Sequence, residues 1–95
     1  MAKLIKITGS APRGIRNVKP RNGETFELEE LYELLEVDMI EIVPSSNGRQ
    51  LVVIDEEGKL KQNPIVNGLA SIACFPGGRD MIVGNALICN PNEIE

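Results

Sequence analysis

Residues 81–89, MIVGNALIC, are apolar at nearly every position. A strand with one wet face alternates apolar and polar side chains; a run apolar on both faces belongs in the middle of a sheet. This run therefore requires a sheet with strands on both sides of it. Gly84-Asn85 within it predicts a bulge or a close backbone approach. Pro76-Gly77-Gly78-Arg79 before it reads as the turn that admits the chain to the strand.

The rest of the chain supplies partners for that strand. AKLIKIT (2–8) and IRNVK (15–19) read as strands separated by the breaker-dense GSAPRG. FELEELYELLEV (26–37) is the clearest helix, with Leu28, Leu31, Tyr32 and Leu35 on one stripe and glutamates elsewhere. Thr25 is its expected N-cap, after a tight Asn22-Gly23 turn. MIEIV (39–43), ended by Pro44, and QLVVI (50–54) flank Asn47-Gly48 as a hairpin. DEEGK (55–59) is a turn before a short strand at Leu60; it lacks the alternating ligands of a calcium loop. Asn63-Pro64 should open a short helix over 65–73 that buries Ile65, Leu69, Ile72 and Ala73, with Gly68 weakening it. The tail NPNEIE (90–95) is polar and expected to fray.

The predicted fold is α+β in a single domain, 1–95, with element order β-β-α-β-β-α-β. A small mixed sheet of about five strands is covered by one main amphipathic helix and a shorter second one. The same order occurs in β-grasp domains.

Aromatic residues make up only 3% of the chain, so Leu, Ile and Val must fill the core. No apolar run reaches the ~20 residues that span a bilayer, and no signal-peptide pattern is visible, so a cytoplasmic location is expected. With that expectation Cys74 and Cys89 read as reduced, buried small hydrophobes. There is no histidine. That removes the commonest general base, and two cysteines alone make no ordinary zinc site. No nucleophile elbow, Walker-type loop or dinucleotide glycine pattern is present. Neither Cys74, Cys89, Ser10, Ser45, Ser46, Ser71, Thr8 nor Thr25 has a histidine to activate it. The expectation is a protein that is not an enzyme and needs no cofactor or metal.

Charge is unevenly spread. Residues 1–21 hold six bases and no acid; residues 22–95 hold four bases and 14 acids, eight of them within 24–41. A net charge of −4 argues against non-specific nucleic-acid binding. Two glycine loops carry an arginine, so Arg13 and Gly14, and Gly77, Gly78 and Arg79, form a candidate anion site for a phosphate-containing small molecule. Glu29, Glu30 and Glu33 form a candidate docking face for a basic protein surface. The basic first segment could instead meet the acidic segment of a second copy, which predicts a homo-oligomer.

One resemblance is carried by NGETFELEELYELLEVDMIEIVP (22–44), DEEGKL (55–60), Asn63-Pro64 and DMIVGNALIC (80–89). In order and spacing these are similar to a small uncharacterised family, the domain of unknown function 3846, whose members are borne by phages, plasmids and other mobile elements. Val37-Asp38-Met39 stands where members often have Gly-Gly-Tyr, and Asn67-Gly68 where they have Ala-Thr. The resemblance carries no catalytic residues across. It implies an accessory protein of a phage or mobile element acting in a bacterial host cytoplasm; in that context the leading expectation is a protein that binds a host protein or a small anionic ligand, the countering of host defence being one such role. The other reading is an acidic interaction or oligomerisation module without a small ligand; a small hydrolase is the remote one.

Overall fold

A computed structural model describes residues 2–10, 13–61 and 64–94. The elements run β1 (Ala2–Lys6), β2 (Gly14–Val18), α1 (Leu28–Leu35), β3 (Ile40–Pro44), β4 (Leu51–Asp55), α2 (Gly68–Cys74) and β5 (Ala86–Cys89). Short 3-10 turns occupy Gly58–Leu60 and Pro91–Glu93. The five strands form one sheet in the order β2-β1-β5-β4-β3. The α+β class and the element order are as expected from the sequence. The pairing is not mixed: every neighbouring pair of strands is antiparallel. Because β1 and β5 are antiparallel, the sheet also departs from the β-grasp arrangement, in which first and last strands run parallel.

β5 lies at the centre, as its two apolar faces require. Leu87 and Cys89 join Ala2, Leu4, Val53, Phe26, Leu31 and Leu35 in a core beneath α1. Ala86 faces the other way, with Val52, Ile54, Ile82, Ala70 and Cys74 beneath α2. The two helices thus cover opposite faces, and β4 and β5 supply side chains to both.

Only the last four residues of the predicted 81–89 strand are β5. Gly84 takes a left-handed backbone (φ 86°), which ends regular pairing. Before it, Val83 makes an isolated antiparallel bridge with Val66.

α1 is shorter than predicted. Its N-cap is Glu27, with no side-chain cap, not Thr25. The Thr25 N–H, like that of Glu24, donates to Asn22 Oδ1 (2.9 and 2.8 Å), so the Asx turn at Asn22 takes these two donors instead. Leu31 and Leu35 are buried as expected, but Leu28 is exposed. α1 ends at Glu36, which is left-handed (φ 57°). Glu36 N–H donates to Glu33 O and Val37 N–H to Tyr32 O, the paired bonds of a Schellman motif.

Leu60 lies in a 3-10 turn rather than a strand and is exposed. The expected helix opener Asn63 lies outside the described residues. α2 is capped three residues beyond Pro64: Asn67 Oδ1 accepts from Ala70 N–H (3.1 Å). The C-terminal segment does not fray as predicted. Asn90 and Glu93 form a capping box, Phe26 N–H donates to Glu93 O (2.6 Å), and Ile94 packs on the α1-side core.

Candidate functional site

The two arginine-bearing glycine loops sit at opposite ends of the sheet. Gly14 pairs with Lys6, which places the first loop at the C-terminal end of β1. Ala11 and Pro12 of that loop lie outside the described residues. Arg13 is exposed, and its Nη2 donates to Gly9 O (3.1 Å). The second loop follows α2, whose C-terminus is held at the other end of the sheet by Ser46 N–H donating to Ala73 O (2.8 Å). There Gly77 and Arg79 line a shallow hollow with Ser46, Cys74, Phe75 and Pro76. Gly78 N–H already donates to Phe75 O (3.0 Å). The loops therefore do not converge on one anion, and Arg79 is left exposed without an acidic partner among the described residues.

The acidic candidates on α1 divide. Glu29 is exposed. Glu30 is buried and accepts from Arg21 N–H (3.0 Å), so it serves the fold. Glu33 is exposed but forms an ion pair with Arg21. The α1 face is less acidic toward a partner than its sequence suggests.

Side-chain networks that the sequence did not reveal stitch one end of the sheet together. Asn85 is buried: its Oδ1 accepts from Ile7 and Thr8 N–H (2.8 and 3.1 Å) and its Nδ2 donates to Leu35 O (3.0 Å). Asn67, also buried, donates through Nδ2 to Gly84 O (2.9 Å). Beside them Lys6, Ser10 and Glu36 form a closed triad. Lys6 Nζ donates to Ser10 Oγ (3.0 Å) and pairs with Glu36, and Ser10 Oγ donates to Glu36 Oε2 (2.8 Å). The hydrogen bond from Lys6, with those from the Ser10 N–H and hydroxyl, lowers the Glu36 carboxyl to about 2. A lysine held in an ion pair is no base for a serine nucleophile, so the triad is built for anchoring.

The thiols are equally ill placed for chemistry. Cys74 and Cys89 are free, buried and in separate cores on opposite sheet faces. Burial raises both, that of Cys89 to about 11, so neither is a thiolate near neutrality. Among the described residues, no group of three or more His, Cys, Asp or Glu could hold a metal ion, and no helix is long and apolar enough to cross a membrane.

α2 presents what the other surfaces lack. The expected burial of Ile65, Leu69 and Ile72 is not found. The helix rests on the sheet through Ala70 and Cys74, and Ser71 turns toward the 81–83 segment, its Oγ accepting from Ile82 N–H (2.7 Å). Leu69 and Ile72 are left 51% and 64% exposed, with Ile65, Val66 and Met81 about half exposed around them. Ala70 and Cys74, four residues apart, form the stripe that faces the sheet, which leaves Leu69 and Ile72 off it. Beside this surface opens a cleft of about 240 Å³ lined by Glu41, Val43, Glu56, Phe75, Asp80 and Met81, among others. Lys59 and Asp80 pair across its rim (2.5 Å).

The family model described as "Domain of unknown function (DUF3846)" matches residues 4–95. No curated protein and no solved structure matches the chain.

Proposed function

This chain belongs to the domain of unknown function 3846 family, and we propose that it is a non-enzymatic binding domain whose working surface is the outer side of α2. The observation that carries this reading is the exposure of Leu69 and Ile72, with Ile65, Val66 and Met81 beside them, on a helix that commits only Ala70 and Cys74 to the core. Exposed apolar side chains are ordinary singly; grouped together and rimmed by charge they are the mark of a docking surface. The adjoining cleft carries Glu41, Glu56 and Asp80 against Lys59. The surface suits a partner protein that offers apolar side chains flanked by basic ones.

In the setting that the family resemblance implies, a phage or mobile element in a bacterial cytoplasm, the partner is a host protein, and occupying it is a means of countering host defence. The separation of the two glycine loops favours this reading over a small anionic ligand. The experiment compares capture of host proteins by the wild-type domain, by Leu69→Ser/Ile72→Ser, and by Glu29→Gln/Glu33→Gln. A partner retained by the wild type and the glutamine variant, but lost from the α2 variant, is expected. Capture that survives the α2 change, or heat on titration with any nucleotide that Arg79→Ala abolishes, would overturn it.

A further inference from the structure

The two edges of the sheet are open and unlike. β2 is exposed along Gly14–Asn17, with only Val18 partly covered, although it belongs to a sheet with a helix on each face. β3, at the other edge, is nearly as exposed. An uncovered edge offers a row of free backbone groups to another strand.

Which groups are free follows from the alternation of antiparallel bonding. Glu56 N–H bonds to Met39 O and Ser45 N–H to Gln50 O, so the odd residues of β3 face β4, and the registers carry that alternation through β4 and β5 to Lys3 and Ile5, which face β5, whereas Leu4 and Lys6 face β2. Their partners in β2 are Arg16 and Gly14, which leaves the backbone groups of Ile15 and Asn17 pointing outward. On β3, Ser45 N–H bonds to Gln50 O and Met39 O accepts from Glu56 N–H. Residues 39, 41, 43 and 45 thus face β4, and Ile40 and Ile42 direct theirs outward. Pro44, next on that outward row, has no N–H to leave unpaired.

The side chains add a second pattern. Val43 packs in the α2-side core and Ile40 against the α1-side core, so Glu41 shares the α2 face and Ile42 the α1 face. On β2, Ile15 lies opposite Ile5 on the α2 face and Arg16 opposite Leu4 on the α1 face. The β2 segment carries Arg13, Arg16, Lys19 and Arg21 without an acid; the β3 segment carries Asp38 and Glu41 without a base.

We propose that β3 of one copy adds antiparallel to β2 of the next, with Ile42 opposite Ile15 of the next copy. A single register then satisfies both patterns. Ile42 with Ile15, and Ile40 with Asn17, are the pairs whose free backbone groups meet. Between and beyond them Glu41 falls opposite Arg16, Met39 opposite Val18, and Asp38 opposite Lys19. Antiparallel addition turns each copy over relative to the last, so the α1 face of one continues into the α2 face of its neighbour. Two ion pairs and two apolar pairs line up, each of a kind that stabilises cross-strand neighbours. Pairing of like edges, β2 with β2 or β3 with β3, would instead set bases against bases or acids against acids. The contact is heterologous, so it propagates copies in a row rather than closing a dimer. It uses the sheet edges and leaves Leu69 and Ile72 free, sharing only Glu41 with the cleft beside α2, and the α2 variant below separates it from the binding role above.

Light scattering over a range of protein concentrations, in low and high salt, tests it. The wild type should grow in mass with concentration and shrink toward the monomer in high salt. Arg16→Glu and Glu41→Arg, both at exposed positions, should each remain monomeric with unchanged thermal unfolding. An equimolar mixture of the two should assemble again, because each acquired charge then meets its opposite. Leu69→Ser/Ile72→Ser should assemble like the wild type. A wild type that stays monomeric in low salt, assembly that persists in either charge variant alone, or a mixture that fails to assemble would overturn the proposal.

Discussion

Two glycines show how residue identity follows from space rather than from a common rule. Gly58 has an ordinary backbone, yet a Cβ there would stand 2.9 Å from the carbonyl oxygen of Val83. That close approach accounts for the glycine in the Glu-Gly-Lys-Leu run. Gly68, at the start of α2, meets nothing within 4 Å and has no unusual φ. Gly58→Ala should therefore destabilise the domain by about 1–3 kcal/mol, as overpacking against rigid backbone does. Gly68→Ala should stabilise it by about 0.5–1 kcal/mol through helix propensity and a stiffer unfolded chain. Urea unfolding of the two variants checks both signs. The sequence shows Asn85 only as part of a bulge. Its actual task, tying the residues after β1 and the end of α1 to the start of β5, depends on segments far apart in the chain, and no local pattern encodes that.

Elements were legible where periodicity is strong and opaque where a tertiary contact sets the boundary. β4, α1 and the Asn47-Gly48 hairpin follow directly from pattern and turn chemistry. The sequence pattern starts α2 too early because Asn63-Pro64 and Asn67-Gly68 both offer an N-cap. The choice falls to Asn67, whose side chain also reaches Gly84 O and so gains a bond that Oδ1 capping alone would not give. This also places the second family departure: Asn67-Gly68 falls at the N-cap and first position of α2. The C-terminus of α1 was likewise unreadable, since Glu36 occupies a left-handed position that glycine usually fills. Its bonds to Lys6 and Ser10 offset that strain and have a pH signature. The Glu36 carboxyl is lowered in the fold from an ordinary value near 4.5 to about 2. A lowered carboxyl contributes stability that is complete above its unfolded value and fades as pH falls through its folded one. Glu36→Gln should accordingly melt lower than the wild type at neutral pH, and the gap should close between pH 4.5 and about 2. A gap that stays constant across that range would show that the ion pair contributes nothing.

Across the whole molecule, protection should decline from the middle of the sheet outward. β4 and β5 are covered on both faces and paired on both sides, whereas β2 is paired on one side and exposed. Amide exchange in high salt should be slowest at Val53 and Leu87 and fastest among the amides of β2. Uniform protection across the five strands would contradict this.

The unequal cores carry a further consequence. α1 lies over the larger cluster, which contains the only fully buried phenylalanine and is tied down by the C-terminal segment. α2 lies over the smaller one, touching it through an alanine and a cysteine. Lifting α2 would leave a two-layer body with its principal core intact, and would bare Val52, Ile54 and Ala86 beside the apolar side chains already outside. Raising the short helix would thus enlarge the apolar surface it already carries, and the cost would fall on the lesser of the two cores.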